Sequence, residues 1–169
     1  SFHRQFSPAI IFGAGEVSKE NQSVFQEKDQ GIILIPTGGT SRNALRFAIH
    51  RWESLEAQSL MVQSFLGVKA LNSICCLPLF HVSGLMQVIR AIATQGQILF
   101  CQLDDLEAAT QTIAVEDYCL SLVPTQLERM FAKVRIFEKM CELKAIFIGG
   151  AAANESLLIK AKDYGLPIT

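Results

Sequence analysis

Four short apolar runs, each followed by a helix-patterned segment, most restrict how this chain can fold. Ser73-Ile-Cys-Cys-Leu77, Gln97-Ile-Leu-Phe-Cys101, Tyr118 to Val123 and Ala145-Ile-Phe-Ile148 read as buried strands. After the first, Leu85, Val88, Ile89 and Ile92 recur at helical spacing until Gly96. After the second, Asp104 and Glu107 form a capping-box pattern and predict a helix to about Ala114. After the third, Thr125-Gln-Leu-Glu128 is a second capping box, with Leu127, Met130 and Phe131 facing inward. After the fourth, Leu157, Leu158 and Ala161 mark a helix stopped by Gly165. This alternation predicts an α/β fold with a mostly parallel β-sheet flanked by helices. In such a fold the strand-to-helix turns gather at the carboxyl edge of the sheet, where ligands bind.

Upstream, Ile32 to Ile35 is another buried strand, and Pro8-Ala-Ile-Ile-Phe12 is a short candidate strand. A helix is expected from about Trp52 to Leu66, with Trp52, Leu55, Val62, Phe65 and Leu66 near one face and Gly67 as its cap. Residues 1–30 read as a partly irregular N-terminal segment, and residues 31–169 as part of one α/β domain. Leu166-Pro-Ile-Thr169 starts a further element.

The strand at Ile32 empties into Pro36-Thr-Gly-Gly-Thr-Ser41. Gly38 and Gly39 permit backbone angles that turn amide N–H groups toward an anion, and Thr37, Thr40 and Ser41 add hydroxyl donors. No Gly-Lys-Ser/Thr closes the loop, so it is not a Walker A sequence. Arg42 and Arg46 follow closely. A plain tight turn is the competing reading. Gly13-Ala-Gly15 hints at a dinucleotide fingerprint, but position 18 is Ser and no helical stripe follows, which excludes it. Three turns of unusual composition, Pro36 to Ser41, Pro78 to Gly84 and Gly149 to Ala152, are expected to share one sheet edge.

Of the 169 residues half are apolar, and the net charge is −1 with scattered basic side chains. That leaves no electrostatic footprint for nucleic acid, and no apolar run is long enough to span a membrane. The five cysteines are odd in number, two are adjacent, and none has metal-ligand spacing. They read as buried free thiols in a reducing cytosol, which gives a cytoplasmic expectation.

Ile35-Pro-Thr-Gly-Gly-Thr-Ser41, Pro78-Leu-Phe-His-Val-Ser-Gly84, Val123-Pro-Thr-Gln-Leu127 and Ile148-Gly-Gly-Ala151 follow one another in the order and spacing of the adenylate-forming superfamily. The resemblance covers residues from about 31 to the end. Within that superfamily, the continuation Arg46-Phe-Ala-Ile-His50-Arg-Trp52 is most similar to the o-succinylbenzoate–CoA ligase family of menaquinone and phylloquinone biosynthesis. The resemblance implies a ligase reaction in two steps. A carboxylate attacks the α-phosphate of Mg-ATP to give an acyl-adenylate and pyrophosphate, and CoA then displaces AMP. ATP with Mg²⁺ and CoA would be co-substrates beside a small carboxylic acid, with no tightly bound cofactor.

It further implies that Thr37, Gly38, Gly39, Thr40 and Ser41 hold phosphate, with Arg46 in place of the usual loop lysine. A solvated surface arginine is the alternative for Arg46. His81 resembles an acyl-pocket residue, with Ser83 and Gly84 shaping that pocket; a hydrogen-bonded core or edge histidine is the plainer alternative. Gly149, Gly150 and Ala151 resemble the segment whose backbone lies along the adenine and acyl group. His50 reads as structural. The chain stops where the superfamily places a Tyr-Gly-x-Thr-Glu motif, and neither that motif nor the catalytic lysine of the mobile C-terminal domain occurs in it. The expectation is therefore a fragment that does not turn over alone, and that self-associates or holds a companion chain through its truncated surface. Another acid substrate, or a non-catalytic nucleotide-binding module, stays open on sequence alone.

Overall fold

The computed structural model describes residues 9–11, 32–37 and 46–169. Two sheets are present among them. The first contains β1 (Ala9–Ile11), β2 (Ile32–Thr37) and β3 (Arg46–Arg51), in that order. β1 runs parallel to β2, whereas β2 and β3 are antiparallel, with Thr37 opposite Arg46 and Ile33 opposite His50. The glycine-rich turn therefore closes a hairpin. It joins strand to strand, where a strand-to-helix turn was expected, and its own residues 38–45 lie outside those described.

The second sheet is fully parallel, in the order β5 (Ile98–Phe100), β4 (Asn72–Cys75), β6 (Tyr118–Leu122), β7 (Ala145–Ile148). Ile168 bridges to Ile146 beyond β7, so the terminal Leu166–Thr169 stretch adds to the same edge. The chain passes from β4 outward to β5 and then returns to the other side of β4 for β6. That reversal opens a crevice between the carboxyl ends of β4 and β6, the place where open α/β sheets take ligands.

α1 (Trp52–Leu66) and α2 (Val82–Thr94) lie between the two sheets. Ile33 and Ile35 of β2 pack with Leu55 of α1 and with Leu85, Met86 and Ile89 of α2. Buried from both sides, α2 also hides Gln87, Ala91 and Thr94. The opposite face of the parallel sheet carries the largest core, where Ile74, Leu120, Leu122 and Ile146 meet Leu127, Met130, Ile136 and Met140. Those last four come from α4 (Pro124–Met130) and α5 (Val134–Cys141), which follow the short α3 (Leu106–Ala109). α6 (Glu155–Asp163) supplies Ala161 to the same core.

α1 spans the expected residues and ends on Gly67 in the left-handed conformation. Its face is only partly as expected, because Phe65 is 75 % exposed together with Leu60 and Met61. Ile92 of α2 is likewise exposed. The helix expected from Asp104 to Ala114 is instead a 3₁₀ turn, Leu103–Asp105, followed by the single turn of α3. The Asp104 carboxylate makes no cap there because Lys133 Nζ binds it at 2.6 Å. The Thr125 capping box is displaced by two residues. Pro124 occupies the first helical position, where its missing N–H costs nothing, so Val123 becomes the N-cap. The Val123 N–H donates to Gln126 Oε1 at 3.0 Å.

At α6, Asn154 Oδ1 accepts from the Ser156 N–H at 3.0 Å, satisfying one of the helix's free amides. Asn154→Ala is expected to cost about 0.5–2 kcal/mol of stability. The urea midpoint should fall while the slope of the transition stays unchanged. No helix among the described residues is long and apolar enough to cross a membrane.

Candidate functional site

The carboxyl ends of β4, β6 and β7 bring two of the predicted segments to one edge. Pro78-Leu-Phe-His-Val-Ser-Gly84 leaves β4 and enters α2, and Gly149-Gly150-Ala151 leaves β7 before α6. β6 stands between them, so the two loops are about 10 Å apart, twice the strand spacing. The β6 end contacts the second of these loops directly. The Gly149 N–H donates to Leu122 O at 3.1 Å, and a Cβ on Gly150 would stand 3.1 Å from Val123 Cγ1. Gly150 also has φ +82°, a conformation that favours glycine.

His81 is the N-cap residue of α2, with extended backbone and an exposed side chain whose ring centroid is 4.5 Å from that of Phe80, the two planes tilted by 52°. Its N–H donates to Pro78 O at 3.1 Å, and its own carbonyl accepts from Gly84 and Leu85. The turn is tight because Gly84 lies directly on the Leu77–Pro78 backbone, which leaves no room for a Cβ. His81 is thus not a core histidine, and its ring makes no hydrogen bond among the described residues. It is offered to solvent at the mouth of the β4–β6 crevice. Ser83 is half-buried one turn further in.

The hairpin loop residues Gly38, Gly39, Thr40 and Ser41 lie outside the described residues. Of Thr37 and Arg46 only the backbone is described, as the first antiparallel pair of the hairpin. His50 is a half-buried β3 residue, in keeping with a structural role.

Sequence reasoning passed over a polar seam along α2. Gln87 is 1 % exposed; its Nε2 donates to Ser83 O at 3.2 Å, but its Oε1 has no hydrogen-bond partner among the described residues. One turn on, the Arg90 guanidinium carbon sits 4.5 Å above the Phe147 ring, and Arg90 Nε is also without a partner there. Burial holds the Arg90 guanidinium below its ordinary pKa, with the nearby Cys119 opposing that shift. The signal in the sequence was a lone arginine in an otherwise apolar helix face. Phe147 stands two residues before Gly149, so this cation lies between the helix that begins after His81 and the strand that ends just before Gly149. Among the described residues no group of three His, Cys, Asp or Glu side chains could hold a metal ion.

No family profile matches the chain. It is similar to 2-succinylbenzoate–CoA ligase of Enterococcus faecalis, 23 % identical over 137 residues that cover 80 % of this chain and 28 % of that one. The corresponding ligase of Bacillus licheniformis is 33 % identical over 95 residues, 54 % of this chain and 19 % of that one. Among solved structures, o-succinylbenzoate coenzyme A synthetase of Bacillus subtilis in complex with AMP superposes with a TM-score of 0.64 at 20 % identity. E. coli MenE, bound to an analogue of OSB-AMS, does so with a TM-score of 0.59 at 27 % identity. Each superposition covers 80 % of this chain and 28 % of the other. The chain thus spans about a quarter of the length of its relatives. In motif order, sequence and fold the chain is thus similar to part of these CoA ligases of the adenylate-forming kind.

Proposed function

We propose that residues 31–169 form part of the AMP-binding domain of a cytoplasmic AMP-forming acid–CoA ligase whose acid is o-succinylbenzoate. The reaction would join o-succinylbenzoate, ATP and CoA through an acyl-adenylate, releasing pyrophosphate and then AMP. The observation that carries this reading is the polar seam on α2 beneath the His81 loop. Two buried polar atoms without partners among the described residues are what a bound polar substrate would satisfy.

o-Succinylbenzoate carries two carboxylates. The succinyl carboxylate is the one activated, and it reacts in its ionised form, so His81 serves to line the acyl pocket, with Ser83 and Gly84, and not as a base. The ring carboxylate needs a cation away from the reacting end. Arg90 is offered for it, because its fork of donors suits a carboxylate and its low-dielectric surroundings strengthen such a pair. Gly149, Gly150 and Ala151 would lie along the adenylate. Thr37, Gly38, Gly39, Thr40, Ser41 and Arg46 would take the ATP phosphates, whose Mg²⁺ arrives as part of the substrate. Holding these groups in line accounts for most of what the protein contributes to the first step.

The test is acid-dependent ATP–pyrophosphate exchange, run on a longer natural polypeptide that contains these residues, since the 169-residue chain alone is expected not to turn over. o-Succinylbenzoate should support exchange and unrelated monocarboxylates should not. Arg90→Ala should raise KM for o-succinylbenzoate by about 10-fold or more, the usual worth of a hydrogen bond to a charged group. It should leave 3-benzoylpropionate, which lacks the ring carboxylate, unaffected. Equal exchange with any acid, or equal losses on both acids, would overturn the reading.

The exposed Leu60, Met61 and Phe65 on α1 support self-association of the chain as well. Light scattering should give a mass above 18.6 kDa that falls to the monomer value in Phe65→Glu. A wild-type monomer at all concentrations would contradict it.

A further inference from the structure

The parallel register pairs Cys75 of β4 with Phe100 of β5, so the next step sets Cys76 directly beside Cys101. Their sulfurs are 3.7 Å apart. Both side chains lie on the sheet face of Ile74 and Leu99 and are half-buried at its carboxyl edge. Cys75 points to the other face, where its thiol contacts Leu77 O and Gly84 O. It cannot compete for Cys101. Neighbouring strands stand about 4.8 Å apart, inside the Cα separations a disulfide accepts. Closing the bond asks the sulfurs to approach by roughly 1.7 Å, a side-chain adjustment and not a backbone movement.

We propose that Cys76 and Cys101 form a reversible intrachain disulfide when the chain meets a hydroperoxide. Cys101 is the first nucleophile. The contact between the two sulfurs holds the Cys101 pKa down, while the same contact and burial push Cys76 up. Burial pushes Cys119 up to about 11, which leaves that thiol unreactive. The Cys101 thiolate attacks a peroxide oxygen, breaking the O–O bond and releasing water once the departing hydroxide is protonated. The Cys76 thiolate then attacks the Cys101 sulfenic sulfur and displaces a second hydroxide, which leaves as water. Two thiols are oxidised by two electrons and one peroxide is reduced to two waters. The bond forms one residue before Leu77-Pro78, the backbone on which Gly84 packs.

The reduced 169-residue chain is treated with hydrogen peroxide, quenched with N-ethylmaleimide in denaturant, and weighed intact. The expected product carries two fewer maleimides than the untreated chain and, before alkylation, weighs about 2 Da less. Dithiothreitol should restore all five alkylations. Peptide mapping should join Cys76 to Cys101, and Cys75→Ser should behave as wild type. Cys76→Ser should leave Cys101 as a sulfenic acid that dimedone traps. Five alkylatable cysteines after peroxide, a bridge mapped to another pair, or a bridge between two chains would each overturn the proposal.

Discussion

Gly84→Ala is expected to destabilise the chain by about 1–3 kcal/mol, the range for overpacking a closed site, and to displace the first turn of α2. An added Cβ would stand 2.3 Å from Pro78 O, 2.8 Å from Pro78 C and 2.9 Å from Leu77 O. All three are backbone atoms, which cannot swing aside as a flexible side chain would. The helix start must therefore lift off the loop, taking His81 and Ser83 with it. Gly149 is the matched control, since a Cβ there meets nothing within 4 Å and its backbone needs no left-handed angle. Gly149→Ala should stay within about 0.5 kcal/mol of wild type. Urea denaturation gives the energies, and amide spectra of the folded proteins give the displacement. A Gly84→Ala protein with wild-type midpoint and unshifted amides from Phe80 to Met86 would show that the tight approach is not what sets this turn.

Leu120→Ala is expected to cost about 2–5 kcal/mol, since it leaves a cavity where nothing can collapse easily. Leu120 is wholly buried in the central strand, opposite Ile74 of β4 and Ile146 of β7. From the helix layer Leu127 and Met130 belong to the same core. β6 separates the two loops of the site, so its loosening should also weaken ligand binding. Val134→Ala, at an exposed position, should change stability by no more than about 0.5 kcal/mol. Equal losses at the two positions would mean that the core does not lie where the sheet places it.

The parallel sheet was legible because each of its strands is a compact apolar run bounded by turn residues, a pattern set locally. The β2–β3 hairpin was not. Along Arg46–Arg51 the apolar side chains Phe47 and Ile49 face outward while Ala48 and His50 are half-buried, so the hydrophobic alternation points the wrong way. α5 went unread although Ile136 and Met140 carry its buried face four residues apart, because Arg135, Glu138 and Lys139 are interspersed with them. The Asp104 cap failed for a long-range reason, the bond to Lys133 twenty-nine residues away. Val123 became a cap because proline chemistry at 124 outweighed the hydroxyl at Thr125.

At the site, the His81 and Gly149 loops were legible because motif order and sheet topology agree on the carboxyl edge. The hairpin loop was assigned to that edge by assuming that β2 belonged to the parallel sheet. β2 instead pairs with β3 in a separate sheet and packs on α2 through Ile33 and Ile35. Arg90 was invisible for a related reason. Its meaning depends on burial between α2 and Phe147, which no spacing rule reports.

The central claim is that an acyl-adenylate sits across the crevice at the carboxyl ends of β4 and β6. The most direct measurement is a titration of the isotope-labelled chain with o-succinylbenzoyl sulfamoyl adenosine, followed at every backbone amide. The account predicts saturable shifts at His81, Ser83 and Gly84, at Gly149 to Ala151 and around Arg90, all with one dissociation constant. Saturable binding with shifts confined to α5 and α6, or no saturable shift at millimolar ligand, would contradict it.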